Sequence, residues 1–241
     1  MQQPEEKDKV VSFYDQFAEK QQKTGINSRH LSILDKVKIA GLQSHHQILE
    51  VGCGIGTVSH LLATQVPQGK VVAVDISPES IEKAKHLWKA QKNLEFEVSD
   101  MSDFDKGAEK FDFFVFPDVL EHIPVDQHFR LFQNIQKHAH SDSVIFIHIP
   151  APRYLQWMIE NEPEKLQVID QPLDSGDLVK NITANGFYLE KMETYSLFFE
   201  EKDYQYFLFR SSKPLDSSTP KSKWAVLKER IRIRLKYGLT K

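Results

Sequence analysis

Between residues 47 and 150 the chain holds five short strand-like runs, most of them apolar on both sides: QILEV, KVVAVDI, LEFEV, FDFFVF and SVIFIHI. Helical stretches separate them: TVSHLLATQV, then SPESIEKAKHLWKAQ with Ser77 as cap and Pro78 at the first helical position, then residues 125–139. A strand that is apolar on both sides has to be covered on both sides. Intervening helices supply that cover through parallel crossovers. The alternation predicts a doubly wound α/β domain over roughly residues 45–150. At 241 residues with 40% apolar content, the chain has enough for one large core or one core with appendages.

The flanks read differently. Val10, Phe13, Tyr14 and Phe17 fall at helical spacing in residues 5–20, and a second helix is predicted over 28–40 with Ser28 as cap. Residues 1–40 are therefore read as a helical cover and 41–211 as the main domain. Residues 151–173, with Pro152, Pro163 and Pro172, read as an insertion rather than a core element. A helix over 174–185 stops at Asn185-Gly186. FYLEKMETYS and DYQYFLFR alternate as two strands joined by a short acidic link, which predicts antiparallel pairing. Residues 212–241 are a polar linker and a basic tail. A single cysteine, Cys53, excludes an internal disulfide framework. No apolar run has the length of a membrane-spanning helix, and MQQPEEKDKV lacks the apolar stretch of a signal peptide, so a cytoplasmic location is expected.

Within this frame the chemistry concentrates at Glu50-Val51-Gly52-Cys53-Gly54-Ile55-Gly56, where a strand meets a helix through bare main chain. Glycine permits the tight turn and lets a ligand lie against the backbone. A helix N-terminus adds unpaired N–H groups suited to an anionic group. Asp75 ends the next strand, placed to accept ribose hydroxyls, and Asp100 follows the third. The spacing is not the G-x-G-x-x-G of a dinucleotide site, and a P-loop lysine is missing. Glu50 would repel a pyrophosphate and attract an ammonium, which points to adenosine joined to an amino acid.

ILEVGCGIGTVS, VVAVDIS, VSDM and FDFFVFPDVLEHIP, in this order, resemble the four motifs of class I S-adenosylmethionine-dependent methyltransferases, in the form seen in ubiquinone-type and small-molecule enzymes. The resemblance implies a Rossmann-like, mainly parallel seven-stranded sheet with a C-terminal antiparallel pair, and S-adenosyl-L-methionine as cofactor. By similarity, Gly52, Gly54 and Gly56 line the methionine and ribose portion, and Glu50 supports the amino group. Asp75 takes the ribose hydroxyls, Ile76 packs on the adenine, Asp100 accepts from the adenine amino group, and the Met101 backbone reads the ring edge. Asp118 lies near the methionine end. Arg29 resembles a helix arginine that pairs with the cofactor carboxylate, and Tyr14 closes over the same end.

A hydroxyl acceptor needs a base. His122 and His148 are the candidates, since both stand on the ligand edge by the strand reading and histidine titrates near neutrality. Asp118, Glu121 and His122 are too sparse for a metal site, and none is expected. Tyr154, Trp157 and the aromatic strip at 204–207 suit a sugar ring or a flat small molecule. A looser similarity to surface-glycan pathway methyltransferases makes a sugar or lipid-linked glycan hydroxyl the leading acceptor. A quinone precursor, amine or carboxylate is the alternative, as is a non-catalytic cofactor-binding scaffold. Residues 221–241 carry eight lysines and arginines against Glu229, a surplus of seven positive charges, so with a net charge of −3 the other residues carry a surplus of ten negative. As a helix, the tail sets Trp224, Leu227, Ile231 and Leu235 on one side and suits peripheral contact with an anionic membrane. Its Arg-Ile alternation also allows a strand. Nucleic acid is disfavoured by the acidic body. Oligomeric state is not legible.

Overall fold

The computed structural model describes residues 22–102, 104–167, 169–212 and 218–238. Seven strands form one sheet in the order β3-β2-β1-β4-β5-β7-β6. They are β1 (Gln47–Val51), β2 (Lys70–Asp75), β3 (Leu94–Val98), β4 (Phe111–Pro117), β5 (Ala139–Pro150), β6 (Phe187–Tyr195) and β7 (Tyr204–Ser211). The first five pair in parallel, and β7 pairs antiparallel with both β5 and β6. The helices are α1 (Ser28–Ile39), α2 (Thr57–Gln65), α3 (Pro78–Leu87), α4 (Val125–Lys137), α5 (Pro152–Asn161), α6 (Ser175–Thr183) and α7 (Lys223–Lys236). This is the doubly wound sheet with a C-terminal antiparallel pair that the strand pattern predicts.

Alternation along each strand divides the core between the two faces. Leu49, Val72, Phe114, Phe116 and Ile147 pack with Leu131, Phe132 and Ile135 of α4 and Leu178 and Ile182 of α6. Ile48, Val71, Phe113, Val115 and Phe146 pack with Ile33 and Val37 of α1 and Val58 and Leu62 of α2. Each fully buried phenylalanine contributes about 1.5–3 kcal/mol. Successive strands are added in one direction from β1 to β3 and in the other from β4 onward, and a ligand crevice opens at that switch point between the parallel neighbours β1 and β4, outside the carboxyl ends of the strands.

Two readings need correction. The cap of α1 is Asn27, not Ser28: its side chain accepts from the Arg29 and His30 N–H groups, while His30 Nδ1 accepts from the Asn27 N–H. Residues 151–173 are more than an insertion, because Pro152 opens α5, which buries Leu155 and Met158 and leaves Trp157 exposed. The tail forms the expected helix over Lys223–Lys236, with Ser222 as its cap, and the alternative strand does not form. The predicted helix over 5–20, with Tyr14, lies outside the described residues.

Candidate active site

The glycine loop alternates left-handed turns, with φ of 76° at Gly52, 52° at Gly54 and 79° at Gly56. Two of these positions also lack room for a side chain. A Cβ on Gly52 would strike Val119, and one on Gly56 would come within 2.6 Å of the Phe96 ring. Gly56 is thus closed by packing against Phe96, whereas Gly52 lines the crevice. Asp75 fastens the loop from β2: Oδ2 accepts from the Gly54 N–H at 2.7 Å and Oδ1 from the Ser77 N–H at 2.9 Å. Ile76 follows, half-buried.

Arg29, Glu50, Gly52, Cys53, Thr57 and Asp118 line one crevice at the β1–β4 switch. Glu50 is fully buried, and neither carboxylate oxygen has a hydrogen-bond partner among the described residues. Burial pushes its pKa up to about 8, with Ser59 alongside opposing the shift and Asp75 reinforcing it. Such a group lacks only a donor, which an ammonium supplies. The residues present therefore fit the methionine end of S-adenosylmethionine. Burial raises the Cys53 thiol well above its ordinary range, which makes it a packing residue rather than a nucleophile.

Beyond the crevice the ends of β4, β5, β6 and β7 converge. Asp118 adopts φ of 54°, and its N–H donates to the His148 carbonyl. His148 Nδ1 stands 2.6 Å from Asp118 Oδ1, and Nε2 stands 2.6 Å from the Tyr195 hydroxyl. Arg29 Nη1 pairs with Asp118 Oδ2 at 3.0 Å, and the Tyr204 hydroxyl lies near enough to the guanidinium to influence it. Burial works to raise the Asp118 pKa, but the neighbouring His148 ring and the Arg29 guanidinium outweigh it and hold the carboxyl below its usual value. An ionised Asp118 needs a donor, so Nδ1 carries the His148 proton and Nε2 is left to accept from Tyr195. The Tyr204 ring stacks on His148 at 4.8 Å.

The other candidates are spread along the rim. Asp100 Oδ1 accepts from the Ser102 N–H. Met101, at φ 64°, donates its N–H to Ser99 Oγ, and its carbonyl accepts from Asn134 of α4, so both main-chain groups are already engaged. His122 takes hydrogen-bond partners of its own, while its ring still interacts electrostatically with Asp118. Its Nδ1 lies 2.6 Å from the Ile169 carbonyl and 3.3 Å from Asp170, and burial lowers its pKa. Glu121 is buried beside it, with Oε2 unpartnered among the described residues. The structure thus brings Arg29, Glu50, Gly52, Asp118 and His148 together, with His122 beside them and hydrogen-bonded to the Ile169 carbonyl. Sequence reasoning missed Tyr195, Ser32, Tyr204 as a neighbour of Arg29, and Asn134. A lone polar residue on the apolar face of α4 was the one available signal.

Residues 48–142 match the profile of a family described as a methyltransferase domain. Malonyl-acyl carrier protein O-methyltransferase 1 of Ilyobacter polytropus is 30% identical over 122 residues, which are 51% of this chain and 42% of that protein. Ubiquinone biosynthesis O-methyltransferase of Coxiella burnetii is 36% identical over 89 residues, 36% of either chain. The chain spans less than half the length of these relatives. Among solved structures, magnesium protoporphyrin IX methyltransferase from Synechocystis PCC 6803, crystallised with bound SAH, superposes with a TM-score of 0.66 at 17% identity, covering 86% of this chain and 100% of that one. N-methyltransferase NodS from Bradyrhizobium japonicum, in complex with S-adenosyl-L-homocysteine, gives 0.61 at 18% identity, covering 77% of this chain and 86% of that one. Both likenesses are of fold.

Proposed function

We propose that this chain, whose residues 48–142 match a methyltransferase-domain family, is a class I S-adenosylmethionine-dependent methyltransferase that methylates a hydroxyl oxygen of a small molecule, a sugar or lipid-linked glycan. When bound, the cofactor supplies a methyl group on a sulfonium, already activated for attack. Glu50 faces its ammonium, and Arg29, with donors to spare beside Asp118, takes its carboxylate. Asp75 accepts the ribose hydroxyls and Asp100 the adenine amino group. With the donor so held, the protein chiefly aligns the acceptor and disposes of its proton.

The observation that carries the hydroxyl reading is the Asp118–His148–Tyr195 chain. A carboxylate acceptor has no proton to lose, so a histidine oriented by a buried carboxylate would be idle beside it. A sugar hydroxyl or a phenol needs that histidine. The exposed aromatic rings of Trp157, Phe198 and Phe199 near Tyr154 and Tyr204 support a ring-shaped acceptor. Asp203 fixes this rim by accepting from the Leu197 and Phe198 N–H groups. A phenolic quinone precursor is the second reading, favoured by the name of the ubiquinone biosynthesis O-methyltransferase relative.

A screen with methyl-labelled cofactor against lipid-linked glycans, sugar nucleotides, phenols, amines and carboxylates tests this. Label is expected in a glycan or phenol, and His148→Gln should lower turnover about a hundredfold. Label only in an amine or carboxylate would contradict it. We further propose that α7 rests on an anionic membrane surface, which would bring a lipid-linked acceptor to the site. Its support is the basic surplus of the tail and the exposure of Trp224, Leu227, Ile231 and Leu235. Among the described residues, no helix is long and apolar enough to cross a membrane.

A further inference from the structure

His148 is fully buried, and both of its ring nitrogens are occupied, Nδ1 by Asp118 and Nε2 by Tyr195. A histidine so enclosed has no free nitrogen for an acceptor's proton. The hydrogen bonds beyond it run in one direction. Lys36 Nζ donates to Ser32 Oγ at 2.9 Å, and Ser32 Oγ donates to the Tyr195 hydroxyl at 3.1 Å. The phenolic proton is thereby directed at His148 Nε2. The Lys36 ammonium also sits 3.6 Å from the centre of the Tyr195 ring.

Helix α1 supplies three of these groups from one stripe. Arg29, Ser32 and Lys36, spaced three and four residues apart, face Asp118 with Tyr204, Tyr195, and the Tyr195 ring respectively. Tyr195 ends β6 and is only half-buried, whereas His148 and Asp118 lie behind it. Of the tyrosine, histidine and carboxylate in this chain of hydrogen bonds, Tyr195 is the one that reaches furthest towards the surface.

We propose that Tyr195 is the catalytic residue that touches the acceptor oxygen, and that it passes the acceptor's proton inward to His148. The proposal rests on the methyl-transfer reading. The acceptor O–H bond breaks and a new O–H bond forms at Tyr195 as the former phenolic proton moves to Nε2. The tyrosine ends neutral. The imidazolium it leaves is stabilised by the Asp118 carboxylate, and the proton returns by the same hydroxyl after product leaves. Ser32 and Lys36 are positioning residues, which orient the phenol so that its proton points at Nε2.

Long-range proton–nitrogen NMR of His148 tests the chain without an acceptor. In the wild type, Nδ1 should carry the proton and Nε2 should show the shift of a hydrogen-bonded acceptor. Tyr195→Phe should move the Nε2 signal towards that of a free imine nitrogen and leave cofactor affinity, measured by calorimetry, within about twofold. With the acceptor found in the labelling screen, the same variant should lose about a hundredfold in kcat. Ser32→Ala should perturb the Nε2 signal in the same direction, by less. A proton on Nε2, or His148 signals unchanged in Tyr195→Phe, would overturn the relay. Absence of cofactor binding by the wild type would overturn the methyl-transfer reading along with it. Binding with an unaltered His148 overturns the relay alone.

Discussion

Glu50 couples the chemistry of the crevice to pH. Its folded pKa of about 8, raised chiefly by burial, leaves the carboxyl protonated at pH 7 when nothing is bound. A cationic ligand favours the ionised form, so binding should release a proton. Cofactor affinity is expected to rise with pH up to about 8 and to level off above it. Calorimetry in two buffers of different ionisation enthalpy would show the proton, and identical heats would contradict it. Glu50→Gln should abolish the pH dependence and weaken binding about tenfold, roughly 1.4 kcal/mol. In the unliganded protein the sign reverses. The unfolded chain ionises Glu50 near pH 4.5, so stability falls as pH climbs from 4.5 towards 8. Glu50→Gln should therefore melt higher than the wild type at pH 8, with the gap closing below pH 4.5. Equal melting at pH 8 would contradict the burial of that carboxyl.

Elements carry the site as much as residues do. Helix α4 presents Leu131, Phe132 and Ile135 to the core, and in their midst Asn134 donates to the Met101 and Phe104 carbonyls at 2.9 Å each. This holds the turn after β3, where Met101 sits at positive φ and Asp100 stands on the rim. Asn134→Leu strands two buried carbonyls and should cost about 1–3 kcal/mol. It should also weaken adenosine binding. Adenosine affinity unchanged by the substitution would show that α4 does not set that turn. The glycine loop was legible because strand, turn, helix and flanking acid are contiguous, with Asp75 only one crossover away. The β3 turn was half legible: Asp100 and Met101 could be placed, but the helix that anchors them lies about 30 residues on. The Ser32–Tyr195 bond spans 163 residues and the His148–Tyr195 bond 47. Those contacts arise because β7 and β6 fold back beside β5, a pairing whose existence the alternation predicts but whose register no local pattern gives. The His122 contact was illegible for the same reason: a short 3-10 turn over Leu120–His122 sets its ring 2.6 Å from the Ile169 carbonyl, 47 residues on.

At the scale of the molecule the charges are divided, acidic over the body and basic in the tail. Helix α7 buries none of its residues. Its apolar side chains form two stripes, Trp224-Leu227-Ile231-Leu235 and Val226-Ile233-Tyr237, with basic residues between them. Deleting 221–241 should reduce binding to vesicles containing phosphatidylserine or phosphatidylglycerol, and should leave cofactor affinity intact. Vesicle binding unchanged by the deletion, or lost equally from neutral vesicles, would dismiss the membrane role. The sheet itself does one thing for the site, which is to bring Glu50, Asp75 and Asp118 to a single rim from three strands. Titration calorimetry of S-adenosylmethionine into the intact chain and into Asp75→Ala, both checked for folding by thermal melt, tests that arrangement most directly. We predict one molecule bound per chain, with at least about tenfold weaker binding by the variant. No heat from the intact chain, or equal affinity in the two, would contradict it.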